Sequence, residues 1–133
     1  MAYRKFKMLS VPQGVLQPNN IVIHQKAEEE LASLVNAFDK PVRIQFRAAY
    51  DKRLEFLSQH LNFETEYTEW FEFIQPPLKS MRFRSLKLNN IRILYCIVND
   101  KAFLLTAFKE KRTKSDYRRA IETAQARLKD IEV

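Results

Sequence analysis

The chain has 133 residues, 46% of them hydrophobic and including ten Phe, five Tyr and one Trp, which suits one ordinary core and argues against disorder or two independent cores. Its single cysteine, Cys96, excludes an internal disulfide framework, and its single glycine, Gly14, excludes a glycine-rich phosphate loop. Net charge is +7 but unevenly placed: residues 1–78 hold 9 Lys/Arg against 10 Asp/Glu, whereas residues 79–133 hold 14 against 6. That split points to an anionic partner for the C-terminal part, although charge alone fits a merely soluble basic surface equally well.

In chain order, residues 1–20 contain Gly14, Pro12, Pro18 and an Asn pair and read as an irregular N-terminal extension, leaving 21–133 as one domain. Ile21 to Ile23 suit a short strand. Ala27, Leu31, Leu34, Val35 and Phe38 fall at helical spacing, with Glu28, Glu29 and Glu30 near the favourable end of the helix dipole. Asp39 and Pro41 mark a break and a new helix start. Phe46, Ala49, Tyr50, Leu54, Leu57 and Leu61 continue an apolar stripe, so the spacing predicts an N-terminal helical hairpin.

From Phe63 to Ile74, glutamates interleave with aromatics at a period that suits a helix as well as a strand, and the segment is read as a short helix or ordered connector. Its glutamates form a solvated face or a shield for the basic surface. Pro76-Pro77 ends it. Met81 to Arg84 alternates apolar and basic residues, which places Arg82 and Arg84 on one face of a strand. Lys87 to Asn90 reads as a loop, Ile91 to Val98 as the central strand, Asn99-Asp100 as a tight turn, and Ala102 to Phe108 as a third strand. A basic segment, Lys109 to Lys114, leads to a final helix capped by Ser115 or Asp116. In that helix Ile121, Ala124 and Leu128 pack inward while Arg118, Arg119, Arg127 and Lys129 stay wet.

Antiparallel pairing would gather Arg82, Arg84, Arg92, Lys109, Lys111, Arg112 and Lys114 around one sheet face. Guanidinium groups bind phosphate with two parallel hydrogen bonds and can stabilise the charge of a phosphorane. His24 and His60 are expected to be ordinary surface or packing residues, and Cys96 a buried inert thiol. Tyr95 groups by alternation with the core residues Ile91, Ile93 and Ile97. No His/Cys cluster has metal-ligand spacing, so neither a metal nor a cofactor is expected. No apolar run approaches the ~20 residues of a membrane span, and Met1 to Ser10 lacks the apolar stretch of a signal peptide. A reducing cytoplasm without membrane contact is the simplest home.

The ordered set Pro77-Leu78, Met81-Arg82-Phe83-Arg84, Arg92-Ile93-Leu94-Tyr95, Leu104 to Phe108, Lys111-Arg112-Thr113 and Arg119 to Ala124 resembles the RelE/HigB toxins of type II toxin–antitoxin systems, in particular their phage-derived HigB-like branch. The resemblance covers about residues 77–132. It implies an α+β fold with a RelE-like antiparallel sheet of three to four strands, the N-terminal helical hairpin and a C-terminal helix. It also implies a ribosome-dependent mRNA endonuclease that works in the A site without metal, through the substrate's own 2′-hydroxyl. A cognate antitoxin, expected to be a small helix-turn-helix protein, would neutralise it. Carried onto this chain, Arg84 and Arg92 would flank the scissile phosphate and Lys111 and Arg112 would add charge. Arg82, Lys87, Lys109, Lys114, Tyr117, Arg118 and Arg119 would contact RNA.

The chain departs from the family pattern in three places. Thr106 stands where a histidine is usual, one residue is inserted between Phe108 and Lys111, and Asp116-Tyr117 replaces the usual Thr-Pro before the last helix. The departures keep two further readings open: a catalytically silent RNA-binding or phage regulatory protein, and a gyrase inhibitor like the ParE-type relatives.

Overall fold

The computed structural model describes residues 5–9, 20–88, 90–111 and 114–131. These form one six-stranded sheet and three α-helices. In chain order they are β1 (Phe6–Met8), β2 (Ile21–His24), α1 (Gln25–Asn36), α2 (Lys40–Gln59), β3 (Phe71–Gln75), β4 (Leu78–Phe83), β5 (Ile91–Val98), β6 (Lys101–Lys109) and α3 (Lys114–Leu128). The strand order is β1-β2-β6-β5-β4-β3, and every neighbouring pair is antiparallel except β2 with β6.

The α+β class therefore holds, but a three- or four-stranded antiparallel sheet does not. The sheet is mixed, and two of its strands precede the helices. Ile21, Val22 and Ile23 are buried to 2% exposure or less, because β2 sits between β1 and β6 with a layer on each face. Phe6–Met8, within the stretch read as irregular, supplies the outer strand. Residues 10–19 lie outside the described residues.

The N-terminal helical hairpin is corrected as well. α1 packs chiefly on β6, and touches β2 and α2 only sparsely. Ala27 and Leu31 of α1, and Phe46, Tyr50, Leu54 and Leu57 of α2, all face the sheet. An apolar stripe records that a helix face is buried, not which neighbour buries it. The helix starts are local: the His24 side chain accepts from the Lys26 N–H, and Asp39 accepts from Val42 N–H with Pro41 in the first turn.

The Phe63–Ile74 segment contains no α-helix. A 3₁₀ turn at Glu64–Glu66 leads to β3, which forms a hairpin with β4 across Pro76-Pro77. Phe71 turns into the core while Glu72 faces the other side, the alternation of a strand. β5 and β6 form the central hairpin, and Asn99 and Asp100 both have positive φ (52° and 60°), as a two-residue turn that follows the sheet twist requires.

The sheet separates two cores. Ile91, Ile93, Tyr95, Phe83 and Leu104 face α1 and α2, whereas Leu94, Cys96, Phe103 and Leu105 face α3 through Ala120 and Ala124. β5 is buried on both faces, which is why it reads as an unbroken apolar run. Beyond the end of β2, the edge of β6 is closed by side chains instead of a strand. Glu30 accepts from the Ala107 N–H and from Thr106 Oγ1, and Arg127 donates to the Leu105 carbonyl and to both Glu30 oxygens at 2.8 and 2.9 Å. Arg127, expected to stay wet, thus ties α3 to α1. α3 begins at Lys114, so Ser115 and Asp116 lie in its first turn instead of capping it.

Candidate functional site

On the α3 side of the sheet, the register sets Arg82 of β4 directly opposite Arg92 of β5, and Arg92 opposite Phe108 of β6. Like charges facing each other across two strands repel, so such a pair needs counter-charge or a ligand. Each arginine has one carboxylate: Glu72 Oε2 lies 3.2 Å from Arg82 Nη1, and Glu110 Oε2 lies 2.6 Å from Arg92 Nη2. Arg82 also donates through Nη2 to the Thr68 carbonyl. From β3 and the β6 exit, Glu72 and Glu110 reach in, so the patch is built from four strands.

Arg92 is only 8% exposed, and its Nε and Nη1 are buried with no hydrogen-bond partner among the described residues. Arg82 Nε is in the same condition. Three buried guanidinium nitrogens in one patch are a concentration of unused hydrogen-bonding capacity. Tyr117 of α3 closes one side. Its ring meets Phe108 edge-on at 5.3 Å, and its hydroxyl lies 3.5 Å from Glu72 Oε1. Burial pushes the Tyr117 phenol up; the Ser80 hydroxyl and Arg92 pull it down, and Glu72 and Glu110 push it up again. Burial outweighs the rest, and the net shift is upward.

Arg82, Arg92 and Tyr117 are therefore brought together, and the other expected site residues are not. Arg84 lies one residue past β4, exposed, with no hydrogen bond or ion pair among the described residues. Lys109 pairs with Ile91 and so shares the opposite sheet face, since the pleat alternates sides. Lys87, Lys111, Arg118 and Arg119 are exposed. Arg112 and the Lys114 side chain lie outside the described residues. Sequence reasoning missed Ser80 and Glu110 and gave Glu72 only a generic shielding role. The signal for Glu72 is the two-residue Pro76-Pro77 hairpin, which sets it opposite Ser80.

Away from the patch, the histidines and the cysteine behave as expected. His24 is buried: its Nδ1 accepts from Lys26 N–H, leaving Nε2 to donate to Asp130 Oδ2 at 2.8 Å. His60 is exposed against the Phe56 ring. Cys96 is buried, and burial pushes its thiol up to about 12. Tyr95 is fully buried and donates to Glu64 Oε2 at 2.6 Å, an oxygen that Lys79 also meets at 3.0 Å. Burial, reinforced by Glu64, pushes the Tyr95 phenol far up, which fits a core residue. Thr106 is buried and committed to Glu30.

A mixed sheet in an α+β fold, carrying two apposed arginines each held by a carboxylate beside the first turn of its last helix, defines the class of this small protein. Residues 33–129, most of the chain, match the family described as phage-derived protein Gp49-like (DUF891), and the chain belongs to that family. The family is one of toxin–antitoxin-associated, RelE-like toxins. No curated protein matches the chain. Among the described residues, no helix is long and apolar enough to cross a membrane.

Proposed function

We propose that this protein is the toxin of a type II toxin–antitoxin system, of the HigB-like kind, and that it acts in the cytoplasm as a ribosome-dependent mRNA endonuclease. The observation that carries the reading is the apposition of Arg82 and Arg92 beside Tyr117 on one sheet face. In the reaction, the substrate's 2′-hydroxyl loses its proton to solvent as its oxygen bonds to the adjacent phosphorus, the bond to the 5′-oxygen breaks, and a 2′,3′-cyclic phosphate is left. Negative charge accumulates on the phosphoryl oxygens, and two fixed guanidiniums are suited to stabilise it. The Tyr117 hydroxyl, which meets Glu72 Oε1 in the free protein, would give its proton to the departing 5′-oxygen and regain one from solvent. Arg84, Lys87, Lys111, Arg118 and Arg119 supply the surrounding field that draws in RNA. The cognate antitoxin, a small helix-turn-helix protein, would act by covering this basic face.

The test is direct. Purified protein added to a translating extract is expected to cut mRNA and stop protein synthesis, with the 5′ fragment ending in a cyclic phosphate. Intact mRNA with unimpaired synthesis sinks the proposal. A second reading, RNA binding without cleavage, is favoured by Thr106, whose hydroxyl is tied to Glu30 where the toxins that the chain resembles often have a histidine. Under it, changing Arg92 weakens RNA binding but there is no cleavage to lose.

A further inference from the structure

The two carboxylates at the arginine pair are not equivalent. Arg82 is held twice, by Glu72 and by the Thr68 carbonyl. Arg92 has one polar contact, through Nη2 to Glu110, while Nε and Nη1 remain unused among the described residues. The Glu110 side chain is 31% exposed where the Arg92 side chain is 9% exposed, so the carboxylate is the solvent-side member of the pair. Glu110 stands one residue past β6, and its backbone N–H donates to the Asn90 carbonyl at 3.1 Å. The backbone is thereby fixed while the side chain can rotate outward without disturbing a strand.

We propose that Glu110 is a displaceable counter-ion, which holds Arg92 in the free protein and is exchanged for a phosphate oxygen of an RNA strand lying across β4 and β5. This rests on the RNA-directed reading of the patch and adds its regulation. Glu110 forms an ion pair with one guanidinium nitrogen. A phosphate presents several acceptor oxygens on one centre and can engage the nitrogens that Glu110 leaves unused. An acidic side chain thus stands over a site that otherwise attracts anions, and free protein holds RNA less tightly than its charge allows.

The experiment measures binding of a fluorescein-labelled, fully 2′-O-methylated RNA oligonucleotide, which cannot be cleaved, to the full chain. The variants are Glu110→Gln, the exposed α3 control Glu122→Gln, and Glu110→Gln combined with Arg92→Met (or Arg92→Lys if the Met variant does not fold). Glu110→Gln is expected to bind about tenfold tighter, a change that direct exchange at one ion pair can supply. Glu122→Gln, which removes the same charge elsewhere, is expected to stay within about twofold of wild type. The gain is expected to vanish when Arg92 is also changed. Binding by Glu110→Gln that is no tighter than by Glu122→Gln, or weaker than wild type, overturns the inference. If Glu110→Gln tightens binding while mRNA in the extract stays whole, the endonuclease reading falls and the counter-ion stands. If mRNA is cut but the two glutamine variants bind alike, the endonuclease reading stands and the counter-ion falls.

Discussion

Arg92 carries a charge that is more than nine-tenths buried, whereas Arg84, two residues beyond its cross-strand partner Arg82, is exposed. Their substitutions should therefore differ in kind. Arg92→Ala is expected to lower single-turnover cleavage by roughly 10²–10³, the usual effect of losing one preorganised charge-stabilising donor. Arg84→Ala should lower it by less than about tenfold, since a solvent-screened charge contributes little. Equal losses would mean that the buried guanidinium has no special part. Cys96 gives a second residue-scale outcome. With its thiol raised to about 12 and its side chain buried, hardly any thiolate exists at pH 7–8. Iodoacetamide should leave the native protein unmodified by mass spectrometry and label it fully in denaturant.

The Glu30–Arg127 pair decides how the elements hold together. It closes the β6 edge where β2 ends and joins α1 to α3. Arg127→Ala strips the Leu105 carbonyl of its partner and leaves Glu30 unpaired. The expected loss is about 2 kcal/mol in denaturant unfolding, at the lower end for charged hydrogen bonds because Glu30 is one-third exposed. Burial tends to raise the Glu30 carboxyl, but hydrogen bonds from Arg127, Thr106 and Ala107 outweigh it and leave it below its ordinary 4.5. Its folded pKa is thus lower than its unfolded one, so the stabilisation is complete above about pH 4.5 and fades as pH falls below that value. The stability gap between wild type and Glu30→Gln should accordingly narrow between pH 6 and pH 3. A gap that widens on acidification contradicts the assignment. The β4, β5, β6 and α3 elements were legible because alternation, β-branched runs and the Asn99-Asp100 turn are local signals. β3 was not, since aromatics spaced as Phe63, Tyr67, Trp70 and Phe71 satisfy both periods, and only pairing with β4 selects the strand. The Arg82–Arg92 apposition could be anticipated from alternation. Glu110 as the partner of Arg92 could not, because it depends on how β6 leaves the sheet.

For the whole molecule, charge placement sets how binding responds to salt. Residues 79–133 hold 14 basic against 6 acidic residues, yet Glu72 and Glu110 already occupy two of the arginines. Engagement of about three to four phosphates by Arg82, Arg84, Arg92 and Lys111 predicts a slope of roughly −2 to −3 for log affinity against log salt, at about 0.7 per phosphate on single-stranded RNA. Anisotropy titrations from 50 to 300 mM KCl would measure it, and a slope near zero would rule out a phosphate-driven interface.

The parallel register of β2 with β6 has a consequence for how this protein comes into being. Ile21 finds its partner, Ala102, about 80 residues later in the chain, and the last helix that closes the second core follows after that. A nascent chain leaving the ribosome cannot seat its first strands until β6 has emerged, and long closures of this kind are slow relative to local hairpins. Arg82 and Arg92 exist in the growing polypeptide well before Tyr117 of α3 and the seated β2 complete the sheet around them. The arginine pair is thus completed only after β6 and α3 have both been made, so vectorial translation itself delays the finished patch.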